Sequence, residues 1–329
     1  MSTSPPVVSR LVVGIPTYCR PEQIAAGLPM VLAEVRAVNE DPHTLIRARV
    51  VVIDNDAAGS AATTVDELNA AEVHYVVEPV PGISAARNRA LDEAAGDDLL
   101  VFIDDDERPR PGWLGALVTT WRETGATGVM GRVVSHLADD LDPWVAAGDF
   151  FWRPRMPTGT EIEVAATGNL LLDLRQVRAA GIRFDQRFGL SGGEDTLFSR
   201  QLVRSGARLV WCDESVTDDY VVTERLNRRW LVNRAWSHGN TFSAVELALA
   251  EGKAARQRLR LRLVARAALR VVGGTTRWLA GVGLRSQRHQ ARGSRTALRG
   301  AGMFAGALGH VYQEYARSGD VRPSAPDGA

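Results

Sequence analysis

The strongest chemical signal in this 329-residue sequence is a run of four acidic residues: Asp104, Asp105, Asp106 and Glu107. The run follows an apolar segment, Leu99–Ile103, which is typical of a strand buried on both faces of a sheet. Adjacent carboxylates repel one another and are rarely buried unless they are paired or bound to a cation. Oxygen ligands of this kind suit Mg²⁺ or Mn²⁺ shared with substrate phosphates. For such a run taken alone, a solvated acidic turn is the plain alternative.

A second acidic pair, Glu194 and Asp195, follows a glycine-rich segment at residues 189–193. The glycines allow a tight backbone approach, and both acids fall in the first turn of a predicted helix. A favourable interaction with the helix dipole accounts for one acid there. It does not account for two acids placed directly after the glycine-rich segment, which is called the glycine platform below. A carboxylate in this position can accept the proton of a hydroxyl nucleophile.

The elements that must position these acids alternate between apolar strands and helices. Strands are predicted at residues 11–15, 50–53, 73–77 and 99–103, with helices at 22–38, 63–70 and 84–95 between them. This order is typical of βαβ units and predicts a parallel sheet with helices on both sides. Ligands bind outside the carboxyl ends of such strands, where Thr17, Asp54 and the acidic run all fall.

The second half of the chain is less regular. Its predicted elements are a helix over 113–123, strands over 128–134, 165–172 and 208–211, a helical stretch over 224–249, and basic helices from residue 254 that include an apolar stretch at 301–315. The irregular segment at 135–165 is interpreted as a functional loop beside the site, because structureless loops of this length are otherwise uncommon.

Composition describes an ordinary globular chain, with 45% hydrophobic and 24% charged residues. Cys19 and Cys212 provide no disulfide framework, so we expect a reducing compartment. The N-terminus lacks the layout of a signal peptide, and no apolar run approaches the ~18–20 residues of a membrane-spanning helix. Neither the dinucleotide-binding glycine motif nor the phosphate loop G-x-x-x-x-G-K-[ST] occurs, so a bound nucleotide would depend on carboxylates and a metal.

Charge is distributed unevenly although the net charge is zero. Residues 251–329 carry 15 basic and 4 acidic side chains, and no acid occurs between residues 252 and 300. This asymmetry indicates an anionic partner for the C-terminal segment. A membrane surface, packing on the main domain and a dimer contact all stay open, whereas nucleic acid is disfavoured because no recognised binding module accompanies the arginines.

Five motifs occur together in one order and spacing: residues 13–18, 54–56, 82–88, 102–107 and 192–195. Together they resemble family 2 glycosyltransferases of the GT-A fold, particularly bacterial enzymes that extend exopolysaccharide or lipid-linked glycans. The resemblance covers roughly residues 10–240. It implies transfer of a sugar from a nucleotide-diphosphate donor to an acceptor hydroxyl, with inversion at the anomeric carbon.

The fold implied by this resemblance is an α/β GT-A fold, with a Rossmann-like, mostly parallel sheet, flanking helices and a C-terminal helical extension. The expected domain organisation is a disordered N-terminus (1–9), a catalytic domain (10–250) with a nucleotide-binding half (10–134) and an acceptor half (135–250), a basic helical extension (251–318) and a disordered tail (319–329).

The family's donor-binding roles carry over by position. Pro16, Thr17 and Tyr18 would border the nucleotide, and Asp54 would contact its base. The ribose and diphosphate would meet residues from four further positions: Arg87, Asp104, Asp105 and Arg225. UDP is the expected nucleotide by resemblance only.

Metal binding and acid–base chemistry carry over in the same way. Asp106 matches the metal ligand, with Asp104 beside it, and the cofactor is Mg²⁺ or Mn²⁺. Many relatives carry a His or Glu near position 219, where this chain has Asp219, the candidate third ligand. Asp195 matches the general base and Glu194 its acceptor-binding neighbour.

The expected partners are a UDP-sugar and a glycan or lipid-linked acceptor, with no nucleic acid. We expect a cytoplasmic protein that contacts the inner face of an anionic membrane. Two other functions stay open: a nucleotidyltransferase, although its glycine- and lysine-rich N-terminal loop is missing, and a non-catalytic nucleotide-sugar-binding scaffold.

Overall fold

The computed structural model describes residues 8–313. The strands are β1 (Ser9–Thr17), β2 (Ile46–Asp54), β3 (Val73–Val77), β4 (Leu99–Ile103), β5 (Glu107–Pro109), β6 (Gly128–His136), β7 (Glu161–Ile162), β8 (Asn169–Asp173) and β9 (Leu209–Tyr220). The helices are α1 (Pro21–Glu40), α2 (Ala62–Leu68), α3 (Ile83–Glu93), α4 (Trp113–Thr124), α5 (Pro143–Ala147), α6 (Leu174–Ala180), α7 (Glu194–Arg204), α8 (Arg228–Ala248), α9 (Lys253–Gly283) and α10 (Gln287–Ala307), with 3₁₀ turns at Gln186–Phe188 and Thr223–Arg225.

One sheet with the order β3-β2-β1-β4-β8-β6-β9-β5 organises the chain, and β7 pairs with β9. The first four strands are parallel, as predicted, and so are β6 and β9. Strand β8 runs antiparallel to both β4 and β6, and β5 and β7 run antiparallel to β9. A parallel return would need a helical crossover, and the segment before β8 contains only the short α5. The predicted mostly parallel fold with a C-terminal helical region is confirmed.

The core lies on both faces of the sheet, because successive strand residues point to opposite sides. In β4, Leu99, Val101 and Ile103 pack into one apolar cluster, while Leu100 and Phe102 pack into the other. All five side chains are buried. The run before the acidic residues is therefore a central strand, as its unbroken hydrophobicity indicates, and it carries the acids to the edge of the sheet.

Strand β9 is longer than the predicted strand at 208–211 and includes Asp218 and Asp219. Its second half alternates in burial through polar residues, with Ser215, Thr217 and Asp219 buried. Because these inward positions are polar, a hydrophobic pattern cannot identify them. Strand β5 pairs antiparallel with this half, so Glu107 belongs to a strand rather than to a turn.

The termini also differ from expectation. Strand β1 begins at Ser9, inside the segment expected to be disordered, and residues 1–7 lie outside the described part. The helix expected through 301–315 ends at Ala307, because Gly309 has a φ of +92° and His310 N–H donates back to the Ala305 carbonyl. Residues 314–329, with the predicted disordered tail at 319–329, lie outside the described range.

Helices α9 and α10 form a hairpin whose second helix crosses α8 at glycines. A Cβ at Gly302 would collide with the Trp236 carbonyl oxygen, and one at Gly306 would lie 2.5 Å from the Asn240 carbonyl oxygen. At Gly239 on α8, a Cβ would collide with the carbonyl oxygen of Arg299. The two backbones therefore touch, and α10 lies directly against α8. Over residues 8–313, every helix is too short or too polar to cross a bilayer.

Candidate active site

A cleft of about 600 Å³ opens at the carboxyl ends of the central strands. Its volume is within the range of small-molecule sites. All but one of the predicted site residues line it: Pro16, Thr17, Tyr18, Arg87, Asp104, Asp105, Asp106, Glu194, Asp195, Asp219 and Arg225. The acidic run after β4 and the acidic start of α7 thus share one cavity, although they are about 90 residues apart in sequence.

The middle acid of the run is held from the first strand. Thr17 Oγ1 donates to Asp105 Oδ2 at 2.8 Å, and Arg20 Nη1 lies 2.9 Å from Asp105 Oδ1. Burial raises the pKa of Asp105 to about 6, because the charge of Arg20 offsets only part of the lost hydration and Asp106 adds repulsion. Asp105 therefore anchors the end of β4 to the end of β1 and does not open to the cleft as its neighbours do.

The flanking acids face the cavity. The side chains of Asp104 and Asp106 are 40% and 22% exposed, and Arg20 and Arg225 contact Asp106 at 3.3 and 3.5 Å. The surrounding protein and the charges of nearby acids, including Asp195, raise the pKa of Asp104. These carboxylates can therefore meet a cation or a cationic side chain that enters the cleft.

Glu107 lies behind these acids. It is buried, accepts a hydrogen bond from Thr217 Oγ1 at 2.6 Å, and has a pKa raised well above its usual value by burial and by Asp104. A Cβ at Gly168 would collide with Glu107 and lie 3.1 Å from Asp104 Oδ2. Glycine at position 168 leaves the space in which the two carboxyl groups lie side by side.

Arg87 on α3 joins the two acidic groups. It is buried, contacts Glu194 directly, and its Nη2 lies 3.6 Å from Asp104 Oδ1. Burial raises the pKa of Glu194 to about 7 against the opposing charge of Arg87, with repulsion from Asp195 adding to the rise. Glu194 Oε2 is buried and has no hydrogen-bond partner within the described chain, so this carboxyl retains binding capacity.

Asp195 is positioned by the glycine platform. Gly192 and Gly193 have φ values of +76° and +88°, and a Cβ at Gly193 would collide with Thr241 of α8. Both the positive φ and the close approach require glycine there. Asp195 accepts a hydrogen bond from the Thr196 N–H at 2.6 Å and is half-buried at the cleft wall.

Asp54 is the one predicted site residue that does not line the cleft. It is fully buried and accepts hydrogen bonds from Tyr75 Oη at 2.7 Å and from the Ala61 N–H at 2.8 Å. These contacts order the loop after β2. The next residue, Asn55, lines the cleft instead, and its side chain accepts a hydrogen bond from the Gly82 N–H before α3.

Asp219, the predicted third metal ligand, lines the cleft opposite Glu107 in the β5–β9 pair. Its Oδ2 lies 3.2 Å from both Ser135 Oγ and Arg153 Nη2. Over residues 8–313, no three His, Cys, Asp or Glu side chains come together as a preformed metal site. The metal-ligand assignment of Asp219 stays a prediction.

Five basic residues that no motif identified as site residues also line the cleft: Arg20, Arg153, Arg234, His238 and Arg299. Protein around the cleft and then the charges of Arg234 and Arg299 lower the pKa of His238 to about 3. His238 is exposed at the cleft wall, and the neighbouring arginines disfavour a further positive charge there. The charge asymmetry of residues 251–329 hinted at such a role for the C-terminal segment, but it could not single out Arg299.

A nucleotide-type sheet that faces an acidic helix start across one cleft is the arrangement of a GT-A glycosyltransferase. Residues 12–174 match the family described as glycosyl transferase family 2. This chain belongs to that family. The resemblance found in the sequence is confirmed, and the protein is a glycosyltransferase of this family.

The chain is 35% identical to the succinoglycan biosynthesis protein ExoM of Rhizobium meliloti (strain 1021) over 243 residues. The aligned region covers 73% of this chain and 76% of ExoM. Among solved structures, it matches S. aureus TarS 1–349 in complex with UDP-GlcNAc at 15% identity and a TM-score of 0.51, over 92% of this chain and 93% of that one. The mannosyltransferase PcManGT from Pyrobaculum calidifontis, in complex with GDP-Man and Mn²⁺, matches at 16% identity and a TM-score of 0.57, over 89% and 86%. This chain spans 42% of the longer S. aureus TarS chain. At these identities the solved structures establish the shared fold.

Asp105→Asn tests the electrostatics of the acidic run. Because the folded-state pKa of Asp105 is raised, the folded protein binds more protons than the unfolded chain between about pH 4 and pH 6, so this carboxylate lowers stability as the pH rises through that window. In buffer with EDTA at pH 7.5, we expect the substitution to increase the free energy of unfolding by on the order of 1–3 kcal/mol, with the gain disappearing near pH 4. Urea denaturation across this pH range measures it.

Asp218→Asn is the matched control with the opposite sign. Hydrogen bonds from Arg110 and, to a smaller extent, His136 lower the pKa of Asp218. Its stabilising effect is present above the unfolded pKa and is lost as the pH falls, so this variant should be less stable at pH 7.5. If Asp105→Asn also destabilises the protein at pH 7.5, the pKa of Asp105 is not raised in the folded protein.

Proposed function

We propose that the protein is an inverting glycosyltransferase that moves a sugar from a nucleotide-diphosphate donor to an acceptor hydroxyl, with Asp195 as the general base. The single observation that supports this most is the shared cleft, in which Asp195 and the acidic run lie on different elements facing one cavity. When the base and the leaving group lie on different sides of the same sugar, the acceptor hydroxyl can displace the diphosphate directly, with inversion at the anomeric carbon. A retaining hydrolase would instead place two carboxylates about 5–5.5 Å apart around one glycosidic bond.

The acceptor hydroxyl is a poor nucleophile until its proton is taken in the transition state, a contribution typically of about 10²–10⁴-fold. Asp195 accepts that proton, while Thr196 and the glycine platform fix the carboxylate. Glu194, held by Arg87, has an unused Oε2 with which to bind another hydroxyl of the acceptor.

On the donor side, charge develops on the leaving diphosphate and must be stabilised. Asp106 and Asp104 are the residues that would hold Mg²⁺ or Mn²⁺, and this pair fits a cation that shares its other ligands with substrate phosphates. When bound, the cation supplies Lewis-acid stabilisation of the phosphate oxygens. Arg20 and Arg225 already contact Asp106 and can turn toward the diphosphate. Thr17, Tyr18 and Asn55 border the space for the nucleoside.

UDP is the proposed donor nucleotide by the family resemblance, and proteins of the same fold bind UDP-GlcNAc or GDP-Man. The similarity to ExoM supports a role in exopolysaccharide biosynthesis, with a glycan or lipid-linked glycan as acceptor.

Asp195→Asn should reduce transfer by at least about 10²-fold, since an amide cannot take the proton, while the donor still binds. Transfer is measured by nucleotide release from a panel of UDP-sugars with mixed glycan acceptors, and donor binding by calorimetry. Asp139→Asn, at an exposed acid outside the cleft, is the control and should match the unsubstituted protein. Substantial turnover by Asp195→Asn would remove the residue from its proposed role.

Asp106→Ala should abolish the Mn²⁺-dependent part of donor affinity, because it deletes the carboxylate that faces the cleft between Arg20 and Arg225. For each variant, the UDP affinity is measured by titration with Mn²⁺ and again with excess EDTA, and the difference is the Mn²⁺-dependent part. Asp139→Ala serves as the control and should show the same difference as the unsubstituted protein. Full activity of the unsubstituted enzyme in excess chelator would contradict any role for a metal.

We also propose that the α9–α10 hairpin contacts an anionic membrane at the cytoplasmic face. Residues 253–307 carry 13 Lys and Arg and no acidic side chain. Leu261, Leu269 and Val272 are 63%, 75% and 66% exposed, and their spacing places them on one side of α9. Beside them is an apolar groove between α8, α9 and α10 that includes Trp236 and Phe304. A cationic border around an exposed aliphatic face is typical of interfacial helices, and each basic residue gains about 1 kcal/mol at an anionic leaflet.

Vesicle flotation tests this contact with the full chain. The protein should float with phosphatidylcholine vesicles that contain phosphatidylglycerol, and less with phosphatidylcholine alone. The double variant Leu269→Asp/Val272→Asp should stay at the bottom of the gradient, while Val164→Asp, at an exposed apolar residue away from the hairpin, should float normally. Failure of the unsubstituted protein to float with the anionic vesicles would refute the membrane contact.

A further inference from the structure

An arginine contacts the carboxylate that the sequence predicted to be the third metal ligand. Arg153 Nη2 lies 3.2 Å from Asp219 Oδ2, and Arg153 Nε donates to Ser135 Oγ at 3.3 Å. Ser135 Oγ in turn donates to the same oxygen of Asp219 at 3.2 Å. A divalent cation bound by Asp219 would therefore lie next to a guanidinium group, and the two positive charges would repel each other.

The charge of Arg153 also acts on two further acids of the cleft. Burial raises the pKa of both Asp104 and Glu107, and the charge of Arg153 is among the interactions that oppose each rise. Glu107 and Asp219 face each other across the β5–β9 pair. One guanidinium thus acts on three carboxylates, Asp104, Glu107 and Asp219, which are called the inner acids below. A positive charge beside them favours their ionised form, as a divalent cation would.

Arg153 is placed so that it can leave the inner acids. Its side chain is 45% exposed and lines the cleft, and it belongs to the segment between α5 and β7, which forms neither helix nor strand near this residue. Arg87 is the contrasting case, because its side chain is only 7% exposed and is held by Glu194. A partly exposed ion pair contributes little to stability, so Arg153 can exchange its partner where Arg87 cannot.

We propose that Arg153 is an internal counter-ion of the donor site, which neutralises the inner acids until a divalent cation binds together with the diphosphate of the donor. Arg153 then moves from the inner acids to the phosphates, which accept charge-assisted hydrogen bonds from a guanidinium in a favourable geometry. Without a nucleotide, its charge keeps the affinity for the cation low. This inference rests on the proposed function, because it assumes a cation shared between the acids and a donor diphosphate.

Titration of the full-length protein with Mn²⁺ in the absence of nucleotide, followed by the electron paramagnetic resonance signal of free Mn²⁺, tests this role. Arg153→Gln should bind Mn²⁺ at least about fivefold more tightly, because the repulsion is removed. Arg153→Lys, which keeps the charge, should stay within about twofold of the unsubstituted protein. Arg155→Gln is the matched control and should also stay within about twofold. Arg155 lies on the same segment and pairs with the same strand, at 2.9 Å from Asp213.

A second measurement tests the exchange of partners. The gain in UDP affinity that Mn²⁺ produces includes the release of the inner acids by Arg153, and this part is missing in Arg153→Gln. The ratio of the UDP dissociation constants without and with Mn²⁺ should therefore be at least about fivefold smaller in Arg153→Gln than in the unsubstituted protein, since the two couplings are reciprocal. Thermal melting in EDTA shows that each variant is folded, and added Mn²⁺ should raise the melting temperature most in Arg153→Gln.

The proposal is overturned if Arg153→Gln binds Mn²⁺ no more tightly than the unsubstituted protein, or if Arg153→Lys or Arg155→Gln tightens binding as much as Arg153→Gln does. An unchanged ratio of UDP dissociation constants also overturns it. So does failure of Arg153→Gln to fold, because an exchangeable side chain cannot be required for the fold. Failure of the proposed function has a different signature: the unsubstituted protein would neither hydrolyse nor transfer any UDP-sugar, whereas the Mn²⁺ titrations do not depend on turnover.

Discussion

The buried guanidinium of Arg87 is the interaction on which the site depends. It lies on α3, which packs against β1 and β2, and it reaches both Asp104 after β4 and Glu194 at the start of α7. Without this positive charge, two groups of carboxylates would face each other across a partly dehydrated cleft. Removing one partner of a buried pair leaves an uncompensated charge and typically costs about 3–5 kcal/mol. The same residue therefore supports the acidic run, the start of α7 and the distance between them.

Arginines from other elements balance the acidic run in the same way. Arg20 follows β1 and Arg225 precedes α8, and both converge on Asp106. Residues that are far apart in the sequence thus meet at one carboxylate. Because each contact is an ion pair at the cleft surface, these side chains can exchange partners when a charged substrate arrives, while the buried bonds of Asp105 and Glu107 keep the backbone in place.

Much of this arrangement could be predicted from the sequence, because its main features depend on residues that are close together in the chain. The Leu99–Ile103 strand, the acids after it and the glycine platform before Asp195 are each encoded by neighbouring residues, and strand topology brings their ends together. What could not be predicted depends on residues far apart in the chain. The antiparallel β8 and the polar inner face of β9 have no hydrophobic signature, since Thr217 and Asp219 are buried by pairing with polar partners. Asp54 fits the family motif, yet Tyr75 and the Ala61 N–H occupy its carboxylate, which only the folded loop reveals.

The glycine contacts between α8 and α10 have a further consequence. Direct backbone contact at Gly239, Gly302 and Gly306 leaves no layer of side chains that could slide or repack, so α10 has a fixed register on α8. The separation between the Arg299 side chain and Asp195 is then set by rigid helices. Backbone contact of this kind therefore holds one basic side chain of the cleft wall in a constant place relative to the α8 backbone.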